Sequence, residues 1–471
     1  MRTPPTNLDS LWNALSASDN LSGRFLAGGE ARVAWSDLVA GSVLGDARSE
    51  ELGGKSVLIV TAEQLTAAAA LVELDGLAWR MVLYPPDLPL DYVPFVVEAA
   101  GVDAVVSDLP ELGSKVSGLR HFRPSLHNLA AHNRAPNLRC RTEWVLLTSG
   151  TVGPPKLVVH SLASLTGAIA SHPQPAAPIV WSTFYDIRRY GGLQIFLRAA
   201  LGGTSLVLGS VADSPAEFLA RASQYGVTHI SGTPSHWRRA LMSPAARSID
   251  PDYVRLSGEI ADQAILNRLR SIYPKSKIGH AFATTEAGVA FSVDDGLAGF
   301  PAGVLDGTPE VEMKVENGTL RIRSSRTASR YFGAQVPDLK NADGFVDTGD
   351  TVEPREGRYH FVGRRDGLIN VGGLKVHPEE VEAVLNRHPQ VHMSLVRAKK
   401  NPVTGAVVIA DVVLRDMLPT DSAVHQDSHA LQNDILLFCR ATLSSHKVPA
   451  AIHFVPALAV AESGKIMRRH A

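Results

Sequence analysis

The chain has 471 residues, with 46 lysines and arginines against 47 aspartates and glutamates and a formal net charge of -1. A balance so close to zero argues against nucleic acid or an anionic membrane as a partner, because no global field would draw the protein there. Cys140 and Cys439 lie far apart and outside any CxxC spacing, which argues against a disulfide scaffold or a thiolate zinc site.

No secretion signal is evident in the first twenty residues, and no apolar stretch approaches the ~20 residues needed to cross a bilayer, so a cytoplasmic protein without integral membrane association is the expectation. The length exceeds what one core usually supports and predicts a large domain with a smaller one. Short apolar runs at 56–60, 80–84, 102–107, 144–147, 204–208, 227–230 and 277–282 alternate with longer amphipathic segments such as 63–72. This predicts an α/β domain whose strands are covered on both faces, with ligand chemistry beyond their C-terminal ends.

From 341 to 365 the chain turns rich in Gly, charge and turn residues, with a short strand expected at 359–362. Beyond it, Pro378 can open a helix, with Glu379 and Glu380 at the favourable end of its dipole and Val381, Val384 and Leu385 along one side. Runs at 391–396, 407–413 and 452–455 and a helical segment at 431–443 complete a small α+β unit. The expected division is a domain of residues 1–365 followed by one of residues 366–471.

The strongest local feature is TEWVLLTSGTVGPPKLVVHS, residues 142–161. An apolar strand leads into Thr148, Ser149, Gly150, Thr151, Val152, Gly153 and, after two prolines, Lys156. The glycines permit close approach of backbone N–H groups to an anion, the hydroxyls add donors and Lys156 adds charge, a composition suited to a triphosphate. It is not the GxxxxGK[ST] of P-loop NTPases, and a Ser/Thr/Gly/Pro cluster is also what an ordinary loop contains.

This segment resembles the [ST]SG[TS]TGxPKG loop of the ANL superfamily of adenylate-forming enzymes, which includes acyl-CoA synthetases, adenylation domains of peptide synthetases and beetle luciferases. Val152 stands for the second Thr and Leu157 for the last Gly. Further matches follow in the family's order: 280–286 (HAFATTE) is similar to its YGxTE segment, 256–259 (LSGE) to its GGE stretch, 348–350 to TGD, 363–366 (GRRD) to GRxD, and 462–468 (ESGKIMR) to TxxGKxxR.

The resemblance implies a large N-terminal adenylate-forming domain with a small mobile C-terminal domain. It implies ATP and Mg2+ as cofactors, with Phe282 beside the adenine, Gly258 and Glu259 along the adenine and acyl pocket, Thr285 on the α-phosphate and Glu286 holding Mg2+. Asp350 would accept from the ribose hydroxyls, Arg364 would support ribose or phosphate, Asp366 would be the hinge, and Lys465 would be the catalytic lysine, acting with Lys156, Thr285 and Glu286. The expected activity is that of an AMP-forming acid-thiol ligase with a small carboxylic acid as substrate. CoA is the expected acceptor, or phosphopantetheine on a carrier protein supplied in trans; a non-catalytic ATP-binding regulator is the alternative of a different class.

Gly372 and Gly373 fall where the resemblance implies a pantetheine channel. Phe184, Tyr185, Gly191 and Gly192 are candidates for the acyl pocket, in a segment whose Asp186 replaces the family's common histidine. Arg188 and Arg189 fit a second carboxylate or other polar group on the substrate, and equally a surface position or a pairing with Asp186, so a dicarboxylate is not inferred from them.

Overall fold

Ser56–Val60 is buried at all five positions, the consequence of an uninterrupted apolar run placed between two covered faces. It is central to a seven-stranded sheet in the computed structural model, which describes residues 10–18, 21, 23–29, 31–45, 51–129, 140–148, 153–169, 177–210, 212–333, 338–402, 404–415, 427–460 and 466–467. In spatial order this sheet holds Arg330–Phe332, Lys156–Ser161, Glu143–Thr148, Arg80–Leu83, Ser56–Val60, Ala104–Ser107 and Arg120–Phe122. Its last five strands run parallel, and the first two are antiparallel additions.

An eight-stranded sheet repeats the plan, in the order Gly288–Val293, Lys277–Thr284, Tyr253–Ser257, His229–Gly232, Val180–Thr183, Ser205–Leu208, Phe25–Gly28 and Ala31–Ala34. The six inner strands are parallel, with an antiparallel strand at each edge. Between the two sheets lies the helix Gln64–Leu74, whose eleven residues are all buried, and its apolar sequence suits a helix packed on every side. One core joins it to Val57 and Met81 of the first sheet, to Trp181 and Leu206 of the second, and to the helix Tyr190–Gly202.

Within residues 300–364, five antiparallel strands, Phe300–Pro301, Val311–Glu316, Thr319–Ser324, Val346–Arg355 and Arg358–Arg364, form a third sheet. Alternation of apolar runs with helices did not predict it, because its strands carry apolar side chains on one face only, as in the pattern BeBiii of Val311–Glu316. The smaller C-terminal domain has its own core, made of residues between Ile369 and Ile452. There the helix Pro378–Leu385 begins at the expected proline and packs with Asp427–Arg440 against the three-stranded sheet Val391–Asn401, Gly405–Leu414 and Ala451–Phe454. Among the described residues no helix is long and apolar enough to cross a membrane.

Candidate active site

The phosphate-loop candidate is the tip of a hairpin. Thr148 ends the strand Glu143–Thr148, Lys156 begins the antiparallel strand Lys156–Ser161, and the two are cross-strand partners. Thr148 thus stands at the C-terminal end of a strand that runs parallel to Arg80–Leu83, with Lys156 directly across from it. Ser149, Gly150 and Thr151 lie outside the described residues; Gly153, at φ +99, has the left-handed backbone that glycine tolerates best.

Alternation along Lys156–Ser161 puts Lys156, Val158 and His160 on one face of the strand. His160 is almost fully buried, and its Nε2 donates to the Thr285 carbonyl at 2.7 Å, while Nδ1 lies 3.0 Å from Ser164 Oγ. Burial pushes its imidazole down to about 4, so the ring is neutral and the donor is fixed as Nε2–H. The phosphate hairpin therefore anchors the Thr284–Thr285–Glu286 turn directly. Two more bonds hold that turn, Ala287 N–H to Thr284 Oγ1 at 2.9 Å and Ala328 N–H to the Glu286 carbonyl at 2.9 Å.

Tyr331 joins the same group. Its strand Arg330–Phe332 pairs with Lys156–Ser161, its hydroxyl donates to Glu286 Oε1 at 3.2 Å, and the Lys156 ammonium stands 5.4 Å from its ring centroid. Burial, with the neighbouring Glu286 carboxylate, raises the phenol above its ordinary value and keeps it a donor. Sequence reasoning missed both His160 and Tyr331. A histidine in an otherwise apolar strand four residues after Lys156 was a signal for the first; the second carried none, since only the strand pairing brings it close.

Tyr185 is buried, and its hydroxyl donates to the Ser257 carbonyl at 2.6 Å, just before Gly258 and Glu259. Glu259 accepts from Ser235 N–H at 3.0 Å and from Ile466 N–H at 3.1 Å. Ile466 follows Lys465 in the chain; Lys465 itself lies outside the described residues. Phe282 stacks on Phe361 at 4.8 Å between centroids and 12° between planes. Asp350 and Arg364 are cross-strand partners whose charged atoms stand 3.9 Å apart, and Asp366 sits in the single turn Arg365–Gly367 that follows.

These elements wall a cavity of about 1890 Å³. Its lining includes Thr148, Lys156, Tyr185, Gly191, Gly258, Glu259, Phe282, Thr285, Glu286, Asp350, Arg364 and Asp366, together with Glu380, Asn386 and Ile466 from the far end of the chain. Five expected residues that the structure describes do not line it, Gly153 of the hairpin and four others. Phe184 stacks on Phe218 at 3.9 Å and on His236 at 5.1 Å, and Gly192 is pressed against the Asp186 carbonyl, where a Cβ would overlap it. Gly372 and Gly373 form the turn between the strands Ile369–Val371 and Leu374–Val376, away from the cavity.

Neither Arg188 nor Arg189 is available to bind a substrate carboxylate. Arg188 is buried and holds Asp186 with two bonds of 2.8 and 2.6 Å, and Arg189 holds Asp87 at 2.6 Å and the Leu147 carbonyl at 2.6 Å. Arg189 thereby fixes the residue before Thr148, the base of the phosphate hairpin. The smaller domain meets this region through polar groups. His392 Nε2 donates to the Arg238 carbonyl at 2.8 Å, Asp262 accepts from Arg238 at 2.6 Å, and Asn386 donates to Asp262 at 3.2 Å.

Comparison with known proteins agrees with this arrangement. The model of the AMP-binding enzyme family matches residues 81–331, more than half of the chain, and that of the AMP-binding enzyme C-terminal domain matches residues 380–465. Acetyl-coenzyme A synthetase 2 of Zygosaccharomyces bailii is 26% identical over 397 residues, which are 73% of this chain and 57% of that protein. A probable 2-succinylbenzoate–CoA ligase of Mycobacterium tuberculosis is 28% identical over 338 residues, 69% of this chain and 82% of the relative. Among solved structures, a benzoate CoA ligase from Burkholderia xenovorans LB400 shares the fold at a TM-score of 0.80 and 18% identity, covering 97% of this chain and 98% of that one.

Proposed function

Because the chain belongs to the AMP-binding enzymes, the adenylate-forming ANL superfamily, we propose that it is an acid-thiol ligase. It joins a carboxylic acid to the α-phosphate of ATP with loss of pyrophosphate, then passes the acyl group from the adenylate to the thiol of CoA with release of AMP. The observation that carries this reading is the single cavity that gathers the phosphate hairpin, the Thr285–Glu286 turn and the Asp350–Arg364 pair, with Ile466 bonded to Glu259 at its wall. The names of the relatives, ligases and synthetases that use CoA, favour CoA over a carrier protein as the acceptor.

Each step follows from groups of the chain. The acid is already ionised near neutral pH, so its attack on phosphorus needs no base. Negative charge grows on the α-phosphate and on the departing pyrophosphate, and donors aimed there stabilise the transition state more than the ground state. Thr148 and Lys156 act on the pyrophosphate side, Thr285 on the α-phosphate, and Lys465 brings an ammonium to the α-phosphate oxygens. Asp350 accepts from the ribose hydroxyls, and Phe282 flanks the adenine. Glu286, a carboxylate of the kind that hard cations prefer and oriented by Tyr331, would hold Mg2+, which when bound offsets phosphate charge.

For the second half-reaction we place a hinge at Asp366, between domains of residues 1–365 and 366–471. Rotation there withdraws Lys465 and turns the Gly372–Gly373 hairpin toward the pantetheine arm. The test is release of pyrophosphate and AMP across a panel of carboxylic acids, each with CoA and with a phosphopantetheinyl carrier protein. Acid-dependent pyrophosphate followed by CoA-dependent AMP and thioester is the expected result. ATP binding without pyrophosphate release for any acid would overturn the adenylation, and thioester on the carrier protein alone would overturn the choice of CoA.

A further inference from the structure

Ser257 ends its strand at the cavity wall, and the connection that follows, residues 258–262, carries two carboxylates that reach the smaller domain. Glu259 is held from its own side by Ser235 N–H on Oε2 at 3.0 Å, and its Oε1 receives Ile466 N–H at 3.1 Å. Asp262 caps the helix Gln263–Ile272 through Oδ1, which takes Ile265 N–H at 3.0 Å, while its Oδ2 takes Arg238 at 2.6 Å and the Asn386 amide at 3.2 Å. Each acid is thus oriented by the larger domain and offers a remaining lone pair to the smaller one.

The receiving groups are oriented in the same way by their own domain. Asn386 is buried at the end of the helix Pro378–Leu385, and its carbonyl takes Ser394 Oγ at 3.0 Å, which leaves its NH2 to face Asp262. Ile466 pairs with Val460 in an antiparallel bridge, and Met467 N–H donates to the Ala459 carbonyl at 2.9 Å, so the Ile466 N–H is presented from a paired stem. Bonds between partners that are already oriented lose little freedom on forming. They also belong to one domain arrangement, since Ile466, which follows Lys465 in the chain, lines the same cavity as Lys156 and Thr285.

Resting on the adenylation proposed above, we infer that Glu259 and Asp262 dock the smaller domain for the first half-reaction, receiving Ile466 and Asn386. In this role the four are positioning residues, which act through where they set Lys465 and not on the reacting atoms. The landing surface is also the cavity wall, because the Tyr185 hydroxyl holds the Ser257 carbonyl at 2.6 Å at the start of the same connection.

The experiment compares the wild type with Asn386→Asp and with the exchange that combines Asp262→Asn and Asn386→Asp. Asn386→Asp keeps an acceptor for Ser394 but sets one carboxylate against another across the seam. Single-turnover adenylation should fall roughly tenfold or more, with thioester formation from supplied acyl-adenylate within about twofold of wild type. The exchange restores an amide facing a carboxylate, keeps a residue that caps helices well, and should bring adenylation back to within about threefold of wild type, a rescue that support of either domain's own fold would not produce. Hydrogen–deuterium exchange without substrates reads the docking itself. The Ile466 amide should exchange roughly tenfold faster in Asn386→Asp, and that of Met467, bonded within the smaller domain, at the wild-type rate. Equal losses in both half-reactions, no rescue in the combined variant, or an unchanged Ile466 amide would overturn the docking. The expected exchange rates in an enzyme that adenylates no acid would instead overturn the adenylation on which it rests.

Discussion

His160 shows how much a single side chain organises here, because its one N–H joins the strand that starts at Lys156 to the turn that carries Thr285 and Glu286. The ring is held neutral at about 4 by burial and takes up a proton on unfolding below its ordinary value of about 6.5. The stability it contributes is therefore full above about 6.5 and is lost as the pH falls from there to about 4, at up to ~1.4 kcal/mol per pH unit. His236, lowered by burial to about 3, and His392, lowered to about 4, act in the same sense. Asp75, raised by burial to about 6, opposes them as it takes up its proton in the native state. His160→Gln keeps a donor for the Thr285 carbonyl and removes the titration. Urea unfolding between pH 7 and 4.5 should then show stability falling less steeply than in the wild type, by about one proton. Identical slopes would mean that the imidazole is charged in the native protein.

At the scale of elements, the start of the helix Tyr190–Gly202 sets both the packing of the cavity wall and its size. Gly192 meets the Asp186 carbonyl so closely that Gly192→Ala must shift backbone, and a cost of about 1–3 kcal/mol in chemical denaturation is expected. A Cβ at Gly191 would meet the Tyr185 ring at 3.4 Å, an ordinary contact, so Gly191→Ala should leave stability nearly unchanged while lowering kcat/KM for bulky acids more than for small ones. Equal destabilisation by the two changes would contradict this division. Gly191 and Gly192 look alike in the sequence, and only the helix–turn contact tells them apart.

The same limit explains what else could be read beforehand. Runs such as Ser56–Val60 and the proline-started helix Pro378–Leu385 were legible because their signal is local. The five-stranded sheet within residues 300–364, the pairing of Arg330–Phe332 with Lys156–Ser161, and hence Tyr331, depend on partners far along the chain. Most of the candidate site was legible through ordered motifs.

On the scale of the whole molecule, the smaller domain has a core of its own, and among the described residues polar groups join it to the larger one: Arg238, Asp262, Asn386 and His392, Glu259 with Ile466, and Arg355 with Glu380 at 3.9 Å. Interfaces of this polar kind permit relative motion, as the alternation proposed above between two half-reactions requires. The most direct measurement is single-turnover kinetics of Lys465→Ala in each half-reaction, with the acid that the wild type turns over fastest. Adenylation should fall by roughly a hundredfold or more, with thioester formation from supplied acyl-adenylate within a few fold of wild type. Wild-type adenylation in the variant, or an equal loss in both steps with the fold intact, would contradict a lysine that serves the first step alone.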